Sequence, residues 1–461
     1  MPGEAPLGGS FDHGSFRDPA SRVFWQGDRV LRALTPKGWE DWQALSKARF
    51  FEEWVADGRL VATTPLNNSE LPLLEHDRIP FWSYPYEWSF SMLADAARLQ
   101  LDLLAAALAE GLTLKDATPY NIQFRGARPV FIDIGSFRPY PAGEPWLGYG
   151  QFCRSFLYPL LIQAHAGVPF QPLLRASLDG ISATLARALL DGAKIRKPGV
   201  FLDVALQARA EASWQNRATD LREEIKQAGF SAEMIARNLT RLRKVVDRTR
   251  WDPPASAWSE YAEWGHVASQ RQAKTEVVAA IAGHKTRQMV WDLGANDGHF
   301  ARVAAPHAEV VVAVDGDEVV IEHLYRSLRQ EGPGNIVPLV ANLADLSPGW
   351  GWRGRERRSF EARAKPDLVL MLAVIHHLVI SANLPLGEVV DWLASLQCEV
   401  VFEWVPPQDP LAQRLMLNKR PDEIHPDYQE ETLRRLIDRY FEVRLDRPIE
   451  GRRLFHLTPR P

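Results

Sequence analysis

The chain has 461 residues, and its 54 basic side chains stand against 58 acidic ones, which gives a net charge of −4. At roughly 150 residues per domain, this length predicts two or three domains, each able to bury its own core. The near balance of charge argues against a protein that mainly coats nucleic acid. The chain contains two cysteines, Cys153 and Cys398, which excludes a disulfide scaffold and a four-cysteine zinc site.

The distribution of apolar residues bears on the location of the protein. Residues 1–22 are rich in Gly, Pro and Asp and lack the apolar core of a secretory signal. The most apolar stretch, 368–375, holds eight residues, far short of the ~20 that a membrane-spanning helix needs. We therefore expect a cytoplasmic protein that has no membrane partner.

The first part of the chain predicts an α+β domain over residues 21–250, after a disordered leader at 1–20. Turn residues separate short apolar runs, and apolar side chains at spacings of three and four mark the helices. The predicted elements are, in chain order, a hairpin over 22–34, a helix over 39–55, strands at 60–63 and 79–84, a helix over 90–112, strands and loops over 114–137, and helices over 150–250.

A second domain is predicted over residues 251–461, because the prolines near 253 break the helical pattern. Apolar strands here alternate with amphipathic helices, which indicates an α/β fold: a doubly wound, mostly parallel sheet that ends in an antiparallel hairpin, seven strands in all. The expected strands are 289–293, 310–314, 336–340, 368–374, 399–402, 440–445 and 453–457. The expected helices are 261–282, 298–304, one near 320–328, and 384–396.

The clearest candidate site begins at Asp292, where the pattern Asp-x-Gly-x-x-x-Gly joins a strand to a helix. Gly294 permits a tight turn, and Gly298 lets the helix begin close to the strand. Asp315 ends the next strand, where a carboxylate can accept hydrogen bonds from ribose hydroxyls. Asp297 disfavours a pyrophosphate at the helix start, since that position would have to attract an anion. A cationic or zwitterionic nucleoside fits the turn better.

Residues 255–461 resemble the class I S-adenosylmethionine-dependent methyltransferases, which have a Rossmann-like sheet. The resemblance rests on the glycine turn, Asp315, Asn342 after the third strand, the segment 367–378 at the fourth strand, and the final hairpin. It implies S-adenosylmethionine as the cofactor. The residues that it assigns to cofactor binding are Asp292, Gly294, Ala295, Asn296, Gly298, Asp315, Asn342 and Leu343. The alternative is a domain without a cofactor, in which the glycines only permit close packing.

Three residues are candidates for work on the methyl acceptor. His376 and His377 follow the fourth strand, and Glu403 ends the fifth. A histidine could act as a base, or the pair could instead pack and cap the next helix. The Asn-Pro-Pro-Tyr type of motif found in many enzymes that methylate bases is missing, so we expect a small-molecule acceptor rather than nucleic acid. The basic loop 353–365 could bind phosphate or be a solvated insertion.

A second resemblance lies in the N-terminal domain. Asp116 precedes Asn121 by five residues, and Asp133 follows, as in the catalytic loop and metal-binding segment of the protein-kinase-like phosphotransferases. The motif residues of this resemblance lie within 112–137, and the order of predicted elements over about 20–240 resembles the same fold in outline. It implies Asp116 as the base, with Asn121 and Asp133 as Mg²⁺ ligands, if the site is active.

The kinase-like site departs from its family in three ways. The histidine of the catalytic loop is missing, no glycine-rich phosphate loop precedes residue 34, and Arg32 stands where a strand lysine is expected, with Glu52 and Glu53 as possible partners. We therefore expect a degenerate module for docking or substrate presentation. The alternatives are an Mg-ATP phosphotransferase regulated by the C-terminal domain and a non-catalytic nucleotide-binding protein. The sequence leaves open the methyl acceptor and the oligomeric state.

Overall fold

The structure, a computed structural model, describes residues 5–66, 71–209, 231–254, 265–417 and 419–460. The chain divides into two compact units. The first comprises 1–124, 128–253 and 349–357, and the second comprises 125–127, 254–348 and 358–461. The main division between the two units falls at 253/254.

The first unit contains a five-stranded antiparallel sheet in the order β1-β2-β3-β5-β4. Its strands are β1 Ser10–Phe11, β2 Ser21–Gln26, β3 Arg29–Leu34, β4 Thr63–Leu66 and β5 Leu73–His76. The predicted hairpin is confirmed, since Gln26 pairs with Arg29 across the turn. The sheet packs on a small core of Ala5, Phe24, Leu31, Ala33 and Leu73.

Two short two-stranded sheets follow in the same unit. One pairs β6 Leu112–Leu114 with β9 Phe137–Pro139, and the other pairs β7 Ile122–Arg125 with β8 Arg128–Phe131. The 3₁₀ turns Pro119–Asn121 and Ile134–Ser136 lie between these strands. They bring the predicted kinase-like residues near one another.

Helices form most of the remainder of the first unit. They are α1 Pro36–Leu45, α2 Arg49–Ala56, α3 Phe90–Ala109, α4 Tyr149–Phe152, α5 Tyr158–Ala166, α6 Gln171–Arg175, α7 Ala183–Leu189 and α8 Ala232–Arg248. A π-helical turn, Cys153–Leu157, joins α4 to α5. Ser89 caps α3 by accepting a hydrogen bond from the backbone N–H of Met92. The apolar stripe of α3 is buried, as its spacing predicts.

The structure corrects several expectations for this unit. Residues 5–20 are not a disordered leader, because β1 pairs with β2 and the Asp12 carboxylate accepts the indole N–H of Trp25. The helix expected over 39–55 is two helices. Segments 60–63 and 79–84 are not strands as predicted; the hairpin forms instead from β4 and β5.

The segment 349–357 packs within the first unit. The Glu356 carboxylate accepts two hydrogen bonds from Arg17, at 2.7 and 2.8 Å, and its side chain is 1% exposed. The Arg357 guanidinium lies 4.2 Å from the centre of the Tyr120 ring. Glu356 and Arg357 are therefore packed against other side chains, whereas residues 352–355 of the basic loop are exposed, as the charge run suggested.

The second unit contains a seven-stranded mixed sheet in the order β12-β11-β10-β13-β14-β16-β15. Its strands are β10 Arg287–Leu293, β11 Ala308–Asp315, β12 Ile336–Val340, β13 Leu368–Met371, β14 Glu399–Trp404, β15 Phe441–Ile449 and β16 Arg452–Pro459. The first five strands pair in parallel, and β15 and β16 are antiparallel. The predicted α/β class, strand count and final hairpin agree with this sheet.

Helices of the second unit connect these strands. They are α9 Gly265–Ala282, α10 His299–Ala304, α11 Glu318–Glu331, α12 Leu386–Ser395, α13 Pro410–Met416 and α14 Glu430–Tyr440. The parallel strands are almost wholly buried, which is why their sequences are continuous apolar runs. The fourth strand ends at Met371 rather than at 374, because the chain turns there through Ala373, whose φ is +55°. No helix in the described part of the chain combines the length and apolarity that a membrane crossing requires.

Candidate functional site

A cavity of about 550 Å³ lies at the carboxyl ends of the parallel strands of the second unit. This volume is in the range of small-molecule and cofactor sites. Of the residues predicted to bind a cofactor, the wall contains Gly294, Ala295, Asn296, Asp315, Asn342 and Leu343. Six side chains or backbone segments from three different strand ends therefore meet in the crevice where the topology predicts a ligand.

The glycine turn forms one side of this cavity. Gly294 has a φ of +79°, and a Cβ built on it would lie 2.4 Å from Val374 Cγ2, so only glycine fits. Asn296 also has a left-handed backbone, with a φ of +47°, a conformation that asparagine tolerates better than most residues. The backbone N–H of Asn296 donates to Asp315 Oδ2 at 3.0 Å. The turn is thereby fixed to the end of the neighbouring strand.

Asp315 is held rigidly in the cavity wall. Its Oδ1 accepts the backbone N–H of Asp317 at 2.9 Å, while Oδ2 accepts that of Asn296. Burial raises the pKa of the Asp315 carboxyl, and the two backbone hydrogen bonds oppose that rise. Since an ionised carboxylate can accept about four hydrogen bonds, each oxygen retains capacity for a ligand hydroxyl.

Asp292 and Gly298 do not line the cavity. The Asp292 side chain is 2% exposed, and burial raises the pKa of its carboxyl to about 7. Gly298 has a φ of +74°, and a Cβ there would lie 2.5 Å from Leu324 Cδ1. Its role is to let α10 begin in contact with α11. These two residues shape the turn from behind, which corrects the expectation that they touch the ligand.

The two predicted histidines lie side by side, with ring centroids 4.0 Å apart, but only one of them reaches the cavity. His377 lines the cavity, whereas His376 is fully buried and both of its ring nitrogens lack a hydrogen-bond partner. Burial lowers the pKa of His377 to about 4, and the charge of Arg452 acts in the same direction. Burial also holds the pKa of His376 well below its usual value. Both imidazoles are therefore neutral at neutral pH.

Glu403 lies behind the cavity wall rather than in it. Its side chain is 1% exposed, and Oε1 contacts Lys274 Nζ at 2.7 Å and an Arg452 nitrogen at 3.3 Å. Arg452 also forms two hydrogen bonds with the Asp409 carboxylate, at 2.7 and 3.2 Å. Two cations and two carboxylates thus form one buried network, which compensates the cost of burying each charge.

The sequence did not reveal two cationic residues of the cavity wall. Arg271 and Lys274 both line it from α9. Arg271 is paired with Asp297 at 2.6 Å, and Lys274 is paired with Glu403. In the sequence each is indistinguishable from a surface cation of a helix. The only possible signal, their place on the helix before the first strand, is weak without the fold.

The kinase-like residues of the first unit form hydrogen bonds and an ion pair with neighbouring side chains. Asp116 Oδ1 accepts hydrogen bonds from Asn121 and Ser136, both at 2.8 Å. Burial raises the pKa of Asp116 to about 6, and the charge of Asp133 adds to that rise. Asp133 forms an ion pair with Arg32 at 2.8 Å, while Glu52 and Glu53 are exposed.

These contacts do not fit a magnesium ion. The Arg32 guanidinium already neutralises Asp133, and Oδ1 of the other carboxylate, Asp116, accepts hydrogen bonds from Asn121 and Ser136. The cavity beside Arg32 has a volume of about 10 Å³, far below the several hundred that a nucleotide needs. In the described parts of the chain no cluster of three or more His, Cys, Asp or Glu side chains could hold a metal ion.

Comparison with known proteins gives one strong relative. The nodulation protein NoeA of Rhizobium meliloti strain 1021 is 33% identical over 430 residues, which cover 91% of this chain and 89% of the relative. No protein-family model matches the chain.

Solved structures give more distant matches. The N-methyltransferase NodS of Bradyrhizobium japonicum WM9, in complex with S-adenosyl-L-homocysteine, is 11% identical, covers 45% of this chain and 94% of its own, and has a TM-score of 0.32. The magnesium protoporphyrin IX methyltransferase ChlM of Synechocystis PCC 6803 is 15% identical, covers 45% and 87%, and has a TM-score of 0.30. The sequence match over nearly the whole length is decisive for kinship: the chain belongs to the family of the nodulation protein NoeA.

Proposed function

We propose that the chain is a class I S-adenosylmethionine-dependent methyltransferase whose cofactor binds in the cavity of the second unit. The observation that carries this proposal is the place of Asp315, whose anchored carboxylate faces a cavity of about 550 Å³ beside the Gly294 turn. Asn342 and Leu343 lie in the same wall, beyond the end of β12, where they would flank an adenine.

The charges of the wall fit a zwitterionic nucleoside. The Asp315 carboxylate lies at the end of β11, and the Arg271 cation reaches the cavity from α9. S-adenosylmethionine carries hydroxyls and a cationic sulfur together with a carboxylate, so both kinds of partner are needed. A pyrophosphate would instead meet Asp297 at the start of α10.

The residues of the chain would act by binding and orientation. When bound, S-adenosylmethionine supplies an electrophilic methyl group on a positively charged sulfur. Asp315 would accept the ribose hydroxyls, and the Gly294 turn would hold the methionine part. His377 lies in the wall beside Leu378, where a neutral imidazole can position an acceptor. Holding the acceptor nucleophile in line with the methyl group and the sulfur can lower the activation barrier by ~7–11 kcal/mol.

Binding of S-adenosyl-L-homocysteine tests this proposal. The full chain should bind it in isothermal titration calorimetry, and a hundredfold excess over the dissociation constant should stabilise the fold by about 2.7 kcal/mol. Nicotinamide adenine dinucleotide and Mg-ADP are the controls, and neither should bind, because each carries a pyrophosphate. Binding of either control with no binding of S-adenosyl-L-homocysteine would refute the assignment.

We also propose that the first unit is a degenerate kinase-like module that docks or presents the acceptor. Arg32 lies on the third strand, the position of the phosphate-binding lysine in kinases, and it pairs with Asp133 instead of a nucleotide. An active Mg-ATP phosphotransferase is disfavoured by this ion pair. Mg-ATP should therefore leave the melting temperature of the full chain unchanged; a saturable shift would restore the phosphotransferase alternative.

The acceptor remains to be assigned by experiment, and we propose a small molecule. Kinship with a nodulation protein supports a role for the methylated product in nodulation. Untargeted mass spectrometry of small-molecule extracts incubated with the protein and S-adenosylmethionine would detect it as a mass gain of one methylene group. A product found only in the nucleic-acid fraction would contradict this proposal.

A further inference from the structure

The Asp315 carboxylate and the Lys274 ammonium lie at different ends of the cavity, and the strand order fixes which end is which. Asp315 ends β11, and Glu403 lies at the end of β14. The strands β10 and β13 separate these two, so the ends of β11 and β14 lie about 14 Å apart, three spacings of ~4.8 Å. Lys274 Nζ is 2.7 Å from Glu403. The Lys274 ammonium therefore belongs to the end of the cavity that is remote from the ribose position.

The position of Lys274 is fixed from behind. Its side chain is 8% exposed, and its partner Glu403 is 1% exposed. Glu403 is shared with Arg452, which Asp409 holds through two hydrogen bonds. A side chain as flexible as lysine is thus immobilised with its charge at a cavity wall. Glu403 acts through Lys274 and is a positioning residue.

The same end of the cavity offers no partner for a cation. Among the described residues, the carboxylates in the wall are Asp297, Asp315 and Asp317, which follow β10 and β11. Glu403 is outside the wall, and its Oε1 already pairs with two cations. A protonated amine entering beside Lys274 would therefore meet a like charge and no carboxylate of the wall itself, which is unfavourable.

A strong base is also missing from the described residues at this end. His377 is the titratable side chain of the wall after β13, and burial lowers its pKa to about 4. An imidazole of that pKa is a poor acceptor for an alcohol proton. An acceptor that arrives with its oxygen already ionised needs a cation beside it and no base.

We propose, on the basis of the methyltransferase function above, that the methyl acceptor is a carboxylate bound by Lys274 and that the product is its methyl ester. One carboxylate oxygen forms the new O–CH₃ bond while the S–CH₃ bond of S-adenosylmethionine breaks. The bonding electron pair remains on sulfur, which becomes the neutral thioether of S-adenosylhomocysteine. No proton is transferred. The Lys274 ammonium compensates the negative charge of the acceptor carboxylate, and that charge disappears when the ester forms.

The test uses S-adenosyl-[methyl-³H]methionine and the full chain. The acceptors tested are benzoate, cinnamate and octanoate, together with a small-molecule extract. Each carboxylate is compared with the alcohol and the amine that have the same carbon skeleton. Methyl esters release volatile [³H]methanol in mild alkali, whereas methyl ethers and N-methylamines do not. We expect alkali-volatile label from a carboxylate. Label that is stable to alkali, or no label from any carboxylate, would overturn the proposal.

Variants of two lysines separate acceptor binding from cofactor binding. Lys274→Met should lower ester formation roughly 10- to 100-fold, the value of one charged hydrogen bond, with the affinity for S-adenosyl-L-homocysteine nearly unchanged. Lys285→Met is the matched control, because Lys285 pairs with Glu399 and lies outside the cavity wall. Lys274→Arg keeps the charge and should retain part of the activity.

Glu403→Gln tests the positioning role. It should raise KM for the carboxylate while leaving the affinity for S-adenosyl-L-homocysteine intact, which a general loss of folding would not do. If Lys274→Met instead abolishes binding of S-adenosyl-L-homocysteine, Lys274 serves the carboxylate of the cofactor and the acceptor proposal is wrong. If the unmodified chain does not bind that ligand at all, the proposed function itself fails.

Discussion

Replacement of Asp315 by alanine should weaken S-adenosyl-L-homocysteine binding far more than it weakens the fold. The carboxylate uses one hydrogen bond per oxygen to anchor the backbone of Asn296 and Asp317, which leaves capacity for two ribose hydroxyls. Hydrogen bonds to a charged group are worth about 1.5–3 kcal/mol each. Losing two therefore costs about 3–6 kcal/mol, or roughly 10²- to 10⁴-fold in affinity.

The assay is isothermal titration calorimetry at pH 7.5, with thermal unfolding measured on the same samples. Asp317→Asn is the matched control, since Asp317 also lines the cavity but its side chain caps α11 through the backbone N–H of Val319 at 2.9 Å. Asparagine caps helices about as well as aspartate, so this control should keep the fold and most of the affinity. Asp315→Ala protein that is folded and binds within about threefold of the unmodified chain, a difference of ~0.6 kcal/mol, would refute the ribose assignment.

Three further predictions concern stability. The pKa of Asp292 is raised from 3.8 to about 7, so its neutral carboxyl contributes stability that is complete below pH ~4 and is lost as the pH rises through 7. Asp292→Asn should remove roughly 2 kcal/mol of the change between pH 5 and 7 in denaturant titrations, and an unchanged pH profile would contradict the burial argument. Gly298→Ala should destabilise the fold by about 2 kcal/mol, because a Cβ at a φ of +74° meets Leu324; a shift of less than ~0.5 kcal/mol would show that the contact relaxes freely. Arg241→Met should cost about 3 kcal/mol in chemical unfolding, since it removes the two 2.7 Å hydrogen bonds from Arg241 to the fully buried Asp203 and leaves the one from Tyr149. The double variant with Asp203→Leu should recover part of that loss.

Local sequence determined the framework of the second unit. Continuous apolar runs become buried parallel strands because a strand covered on both faces has no polar side. Gly294 could be assigned to the strand-to-helix turn, because the left-handed backbone there admits no other residue. Asp315 could be assigned to the cavity because the carboxyl ends of parallel strands meet at one edge, whatever the details of packing.

The direction of individual side chains could not be read in the same way. His376 and His377 are adjacent in the chain, yet one lies in the core and the other in the cavity wall. A π-helical turn, His377–Ser381, begins at the second of them, and its hydrogen-bond spacing differs from the regular helical period that a sequence pattern reveals. Asp292 was likewise assigned to the ligand, although the strand turns its side chain inward.

Charge networks across distant segments were decided by the tertiary structure alone. Lys274, Glu403 and Arg452 come from a helix and two strands that are far apart in the chain, and Arg32 reaches Asp133 across about a hundred residues. The sequence determined the sheet, the glycine turn and the carboxylate at its edge, since these depend on the spacing of neighbouring residues. Only the fold decided which cations meet which carboxylates, because an ion pair depends on distance in space and leaves no periodic trace along the chain.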